Sequence, residues 1–290
     1  MDATLYDDTT CLLGEGPLWH PERGELLWFD ILARRLHSRG ESGSRSWVMD
    51  DLSTAAGWVD RDTLLMARRG ALGRFDLAVG SFDPLVPFED DNPLLRPNDG
   101  RADPFGGFWI GSMAIEMAKG AGSIWRYFQG DLRRIVAKVT IPNAICFHPD
   151  RSHALWADTE EGQVWRQPLG RDGWPEGDPT PFLDLSGEGL NPDGAVMDAE
   201  GNAWIALWGA GAVRAYDPDA RQVAEVRVPA RQSSCPAFGG PDLSTLYVTS
   251  AAAGLSQEVH AHEPGQGRTY ALDLGAHIGV RGLPEHRVLL

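Results

Sequence analysis

The chain has 290 residues, 42% of them hydrophobic, which is ample for one large core. Its 41 acidic against 26 basic residues give a formal charge of -15. That field repels phosphate backbones and argues against nucleic acid as a partner. No segment approaches the ~20 apolar residues of a membrane span, and the acidic start MDATLYDDTT lacks the apolar run of a signal peptide. Cys11, Cys146 and Cys235 are far apart and have no metal-type spacing, so reduced, buried thiols in a cytoplasmic protein are expected.

Six short apolar runs follow one another along the chain: Leu26–Asp30, Leu64–Ala67, Phe108–Gly111, Ala154–Asp158, Ala203–Ala206 and Leu246–Thr249. Each carries a Trp, Met or Tyr in a corresponding place (Trp28, Met66, Trp109, Trp156, Trp204, Tyr247), and successive ones lie 38–48 residues apart. A second run follows in five of the units, as in Gly122–Tyr127, Gly162–Gln167, Gly211–Tyr216, Gly267–Leu272 and Ala71–Phe75. Alternation bounded by Gly marks these as half-buried antiparallel strands. Ahead of each central run, an apolar strand ends in a turn rich in Asp, Pro and Gly, such as His20–Gly24, Asp103–Gly107 or Asp198–Gly201. A β-sandwich would not keep six such units in step. The spacing predicts an all-β, six-bladed β-propeller over residues 1–290 as a single domain.

A propeller gathers its chemistry on the central axis. The strand before each turn is the innermost of its blade, and its first residue falls 11–13 positions ahead of the central aromatic. Those positions are Glu15, Thr54, Asn98, Asn143, Asp193 and Cys235. Five of the six are polar although each opens an apolar strand. Two carboxylates and two carboxamides converging on one axis form a set of hard oxygen donors, suited to Ca²⁺, Mg²⁺ or Mn²⁺ more than to structural Zn²⁺. The structural alternatives are local: Glu15 capping a turn, Asn98 and Asp99 making an Asx turn, Arg96 pairing at the surface. Asp103, Asp150 and Asp198 read as hairpin residues, and His260 with His262 as part of an exposed edge or loop.

Four elements occur in order at blade spacing. They are Leu13-Gly-Glu-Gly-Pro-Leu-Trp19; Arg96-Pro-Asn-Asp-Gly-Arg-Ala-Asp-Pro104 followed by Trp109-Ile-Gly-Ser-Met113; Ile141-Pro-Asn143 with Ala157-Asp-Thr159; and Asn191-Pro-Asp-Gly194 with Gly201-Asn-Ala-Trp204. From about residue 12 to residue 275 the chain resembles the senescence marker protein, gluconolactonase and regucalcin-like family. The resemblance implies one divalent cation on the axis, held by Glu15, Asn143 and Asp193, and a sugar lactone bound by Arg96, Asn98 and Glu116. Ser112 replaces the family's usual Thr, and Ala144 stands where Gly is common.

The expected activity is metal-dependent opening of an aldonolactone, with Asp193 as general base and Ala114–Gly122 as a partial lid hinged at Gly120 and Gly122. The cation could be Ca, Zn, Mn, Mg or Fe. The expected partner is the small-molecule lactone, with no nucleic acid, membrane or obligate protein. The alternatives are a non-catalytic Ca²⁺-binding regulator and a propeller esterase acting on another ester.

Overall fold

The computed structural model describes all 290 residues. Twenty-four strands form six four-stranded antiparallel sheets, and each innermost strand packs on the innermost strands of both neighbours, closing a ring. The chain is therefore a six-bladed β-propeller. The innermost strands are Gly14–His20, Ser53–Trp58, Leu95–Ala102, Pro142–Phe147, Asn191–Met197 and Ser233–Gly239 for blades 1 to 6. The second strands are Glu25–Asp30, Thr63–Arg68, Phe108–Ala114, His153–Asp158, Ala203–Trp208 and Thr245–Ser250. All six central runs of the sequence fall on these second strands. No helix is long and apolar enough to cross a membrane.

The core is six separate clusters, one in each gap between neighbouring blades. A second strand is thus buried on both faces, which is why its sequence is a continuous apolar run without alternation. Leu26 and Trp28 face blade 6, while Leu27 and Phe29 face blade 2. The aromatic column of the sequence is not one column in space. Trp28, Met66 and Trp156 point at the preceding blade, whereas Trp109, Trp204 and Tyr247 point at the following one. A one-residue slip turns a strand side chain to the opposite face, and both faces here accept an aromatic.

The three cysteines are free and buried, as expected. Two features have no counterpart in the sequence reading. Thr4–Asp7 pairs with Thr269–Asp273 and supplies the outermost strand of blade 6, so the two ends of the propeller close on each other by backbone hydrogen bonds. The C-terminal segment crosses the end of the propeller at which the innermost strands finish. Gly282 N–H donates to Leu243 O (2.8 Å), Val288 N–H to Trp58 O (2.9 Å), and Leu289 N–H to Gly106 O (2.8 Å). From this strap Glu285 pairs with buried Arg101 and accepts the Trp58 indole N–H on its carbonyl (2.8 Å).

Deleting residues 1–7 strips blade 6 of its outer strand and leaves the 269–273 edge unpaired. Thermal unfolding should show a Tm at least about 2–4 °C lower, the equivalent of roughly 1 kcal/mol in a domain of this size. An unchanged Tm would mean that the closure contributes nothing to stability.

Candidate active site

The ladder between first and second strands is interrupted once in every blade. Register shifts fall between Glu15 and Leu18, Ser53 and Ala55, Pro97 and Gly100, Asn143 and Cys146, Pro192 and Ala195, and Ser233 and Pro236. Each of the six axial residues lies at or beside such a bulge. None is the first residue of its strand, contrary to the sequence reading; Asn98 is the fourth residue of its strand and Asp193 the third. A bulge leaves a residue unpaired and re-aims its side chain, and here the result is convergence on the axis. Two of the bulges use left-handed backbone, at Gly16 (φ 53°) and at Ala144 (φ 53°). Glycine holds that conformation without strain, whereas alanine in it costs about 1–2 kcal/mol. The departure at Ala144 is therefore a strained backbone beside Asn143.

Hydrogen bonds tie the ring together from blade to blade. Thr54 Oγ1 donates to Asn98 O (2.6 Å), and Arg96 Nη1 donates to Asn98 Oδ1 (2.9 Å) and Pro97 O (2.8 Å). Asn98 Nδ2 donates to Asn143 Oδ1 (2.9 Å) and Pro142 O (3.0 Å). Asn143 Nδ2 donates to Thr159 Oγ1 (2.7 Å), whose hydroxyl donates to Pro192 O (2.7 Å). On the far side, Ser234 Oγ donates to Gly14 O. Gly194 is pressed against blade 6, where a Cβ would lie 2.2 Å from Cys235 Sγ.

Arg96, Asn98 and Asn143 are thereby brought together, and Glu15 and Asp193 lie near enough to Arg96 and to each other to interact through charge. Both amide hydrogens of Asn98 are spent inside the protein, so toward a ligand it can act only as an acceptor. Glu116 is different: it is exposed in the turn after the Phe108–Ala114 strand, at the same end of the blade as Arg96. In that turn Gly120 has a positive φ of 64°. Gly122 is no hinge, because it opens a strand and a Cβ there would lie 1.9 Å from Ser112 O.

Asp99 is the residue the sequence reading set aside. Its carboxylate makes no Asx turn; it accepts Ile145 N–H from the next blade (2.8 Å) and is 7% exposed. The register shift in blade 3 leaves two adjacent polar residues, Asn98 and Asp99, off the ladder. The other bulges with an acid or amide are followed by Gly16, Ala144 or Gly194, and that contrast was the available signal. Thr159, quoted only as part of a motif, links Asn143 to blade 5. His260 and His262 sit two apart on the short helix Gln257–His262, both exposed.

The electrostatics follow from crowding. Burial, then the Asp99 charge, pushes the Glu15 carboxyl up to about 8 against the pull of Gly16 N–H and Arg96. Burial, then Glu15 and Asp99, holds Asp193 well above the usual carboxylate range. Burial lifts Asp99 to about 6 despite Ile145 N–H and Arg101. Burial lowers the Arg96 guanidinium to about 10, opposed by Glu15 and Asp193. No side chain donates a hydrogen bond to the Asp193 carboxylate. Buried Asp99 and Asp193 and half-buried Glu15 thus share the axis with Arg96, while Arg101 is already paired with Glu285. Carboxylate and carboxamide oxygens crowded on one axis fit a hard divalent cation, which would displace the carboxyl protons as it binds.

Both Glu15 and Asp99 hold protons more tightly folded than unfolded. Their contribution to stability is complete below the ordinary carboxylate values of 4.5 and 3.8, and is lost as pH rises through about 6 and then about 8. Partly buried histidines act in the opposite sense; His153, for one, is pushed down to about 4 by partial burial and by His148. The comparison is therefore with Glu15→Gln. Between pH 5 and pH 9 the cation-free wild type should lose more Tm than that variant, and a divalent cation should remove the excess. Parallel pH profiles would contradict the assignment.

A surface groove of about 1090 Å³ runs along blades 5 and 6 past Thr4, Arg214 and Tyr270 and contains none of the axial residues. Residues 13–252 match the SMP-30/Gluconolactonase/LRE-like region. A putative sugar lactone lactonase of Rhizobium meliloti is 37% identical over 279 residues, covering 95% of this chain and 94% of that protein. The L-arabinolactonase of Azospirillum brasilense is 34% identical over 276 residues, covering 92% and 90%. Among solved structures, a calcium-binding protein, regucalcin, from Agrobacterium tumefaciens superimposes with a TM-score of 0.96 at 37% identity, over 100% of this chain and 98% of that one. The chain belongs to the SMP-30/gluconolactonase/LRE-like family.

Proposed function

We propose that this protein hydrolyses a sugar lactone to its aldonic acid with the help of one divalent cation. The observation that carries this reading is the coupled cluster of Glu15, Asn143, Asp193, Asn98 and Arg96 on the axis. The names of the relatives from R. meliloti and A. brasilense supply the substrate class. Glu15, Asn143 and Asp193 are the residues to hold the cation, and Asn143 Oδ1 keeps a lone pair free beside the Asn98 bond. When bound, the cation would polarise the lactone carbonyl and lower the pKa of a nearby water.

The chain's own groups do the rest. Asp193 accepts a proton from the attacking water as the carbonyl carbon becomes tetrahedral, and returns it to the ring oxygen as the C–O bond breaks. Its burial makes it a stronger base than an exposed aspartate, and its freedom from side-chain hydrogen bonds leaves an oxygen for the water. The Arg96 guanidinium has further N–H groups with which to bind substrate hydroxyls. Asn98 fixes that guanidinium and accepts a hydroxyl on its second lone pair. Glu116, on its exposed turn, reaches substrate only if the 115–121 segment moves inward.

The competing reading is a protein that holds Ca²⁺ without turnover, favoured by the calcium-binding description of the A. tumefaciens structure. The Arg96–Asn98–Asn143 chain argues against it, since a guanidinium beside the cation site serves an oxygen-rich ligand and repels a bare cation.

Proton release from a panel of aldonolactones, each with Ca²⁺, Mn²⁺, Mg²⁺, Zn²⁺ or Fe²⁺, tests the proposal. At least one lactone should open, and chelation should abolish the activity until the cation is restored. Asp193→Asn, nearly isosteric, should lower kcat by about 10²–10⁴. Asn98→Ala should chiefly raise KM. Cation binding without turnover of any lactone would favour the ion-holding reading, and full activity in Asp193→Asn would refute the mechanism.

A further inference from the structure

At the opposite end of blade 4 from Asn143, the hairpin Phe147–His153 brings two imidazoles and a carboxylate together. We propose that His148, Asp150 and His153 form a second cation site, selective for a borderline transition metal of the Zn²⁺, Cu²⁺ or Ni²⁺ class. One ligand atom from each residue can be chosen so that all lie within 4.8 Å of one another.

The hairpin builds this geometry from its backbone. His148 N–H donates to His153 O (3.0 Å), which makes the two histidines cross-strand partners with side chains on one face. Their rings stack with centroids 4.6 Å apart at 24°. Between them, Arg151 N–H closes the turn on His148 O (2.8 Å), and Arg151 takes the left-handed φ of 65°. The Asp150 carboxylate is steadied by Ser152 N–H (2.8 Å), with Oδ1 2.7 Å from His148 Nδ1. His153 Nδ1 lies 2.8 Å from Ser152 Oγ.

Gly201 of blade 5 fixes the orientation of His148. A Cβ on Gly201 would sit 2.5 Å from His148 Nε2. The glycine makes room for the ring, since any side chain there would collide with it. His148 Nδ1 is the ring nitrogen beside Asp150, and it also accepts the Asp150 N–H (3.3 Å), a bond that a metal on this nitrogen would displace.

Two nitrogen donors and one carboxylate oxygen differ from the axial set, which has oxygen donors alone. Imidazole favours Zn²⁺, Cu²⁺ and Ni²⁺, whereas carboxylate and carbonyl oxygens suit Ca²⁺ and Mg²⁺. Asn143 and His148 are five residues apart on extended chain, so the two sites are separated by about 16 Å along the strand and share no ligand. The donors also hold the turn together without a metal, so the test must separate a cation site from a well-closed hairpin.

The experiment is electron paramagnetic resonance of Cu²⁺ titrated into the full-length protein. One Cu²⁺ should show superhyperfine coupling to two nitrogens, a signature the axial oxygen donors cannot give. His153→Ala and His148→Ala should each abolish the two-nitrogen pattern, and Asp193→Asn should leave it intact. By calorimetry, His153→Ala should weaken binding of Zn²⁺ at this site at least tenfold, and Asp150→Asn at least threefold, while lactone opening stays at the wild-type rate in both. Far-UV circular dichroism confirms that the variants are folded. Absence of nitrogen coupling in the wild type overturns the proposal. So does coupling that survives both histidine substitutions, which would place the metal on other histidines. Because the axial site contributes no nitrogen, failure here leaves the lactonase reading untouched, and the reverse also holds.

Discussion

Burial of several carboxyl groups together on one axis is the constraint around which this molecule is organised. Glu15, Asp99 and Asp193 come from three different blades; burial pushes all three upward in pKa, Asp99 adds to the shift of Glu15, and both add to that of Asp193. A fold that buries like charges loses stability unless something offsets them. Arg96 offsets part of the charge from inside the cluster. Arg101 does so from below, and is itself neutralised by Glu285 of the C-terminal strap. The remainder is free energy that a doubly charged ion can recover on binding. The cost to the cation-free fold and the affinity for a cation are two sides of one interaction.

The propeller can sustain that cost because it separates two tasks. Stability comes from six apolar gaps between blades, each filled from the two faces of adjoining second strands. Chemistry comes from the innermost strands, where one bulge per blade turns a side chain out of the ladder. The axial ring then needs its own bonds, and it has them in the Thr54, Asn98, Thr159 and Ser234 links between blades. Close approach at the axis demands small residues, as at Gly194 against Cys235. A substitution there would displace the donors before it disturbed the core.

Much of this was legible in the sequence. The second strands could be read because burial on both faces leaves an uninterrupted apolar run. The axial residues could be read because a polar side chain at the start of such a strand is anomalous. Three things could not be read, for physical reasons. The exact register was hidden because a strand buried on both sides accepts an aromatic at either parity, so Trp109 and Trp156 look equivalent and face opposite ways. Asp99 reads as a turn residue in the sequence because Pro-Asn-Asp-Gly is good turn chemistry. Only the neighbouring blade, whose Ile145 N–H it accepts, reveals that it belongs to the axis. The closing strand Thr4–Asp7 and the strap through Glu285 depend on partners more than 180 residues away, which no local pattern encodes.

If the axial carboxyls hold protons in the cation-free protein, a divalent cation must displace them as it binds. Isothermal titration of Ca²⁺ at neutral pH, in two buffers of different ionisation enthalpy, measures that exchange directly. One strong site should release at least one proton per ion bound, with both the site and the release lost in Asp193→Asn. Binding with no proton released, or release that persists in Asp193→Asn, would contradict it.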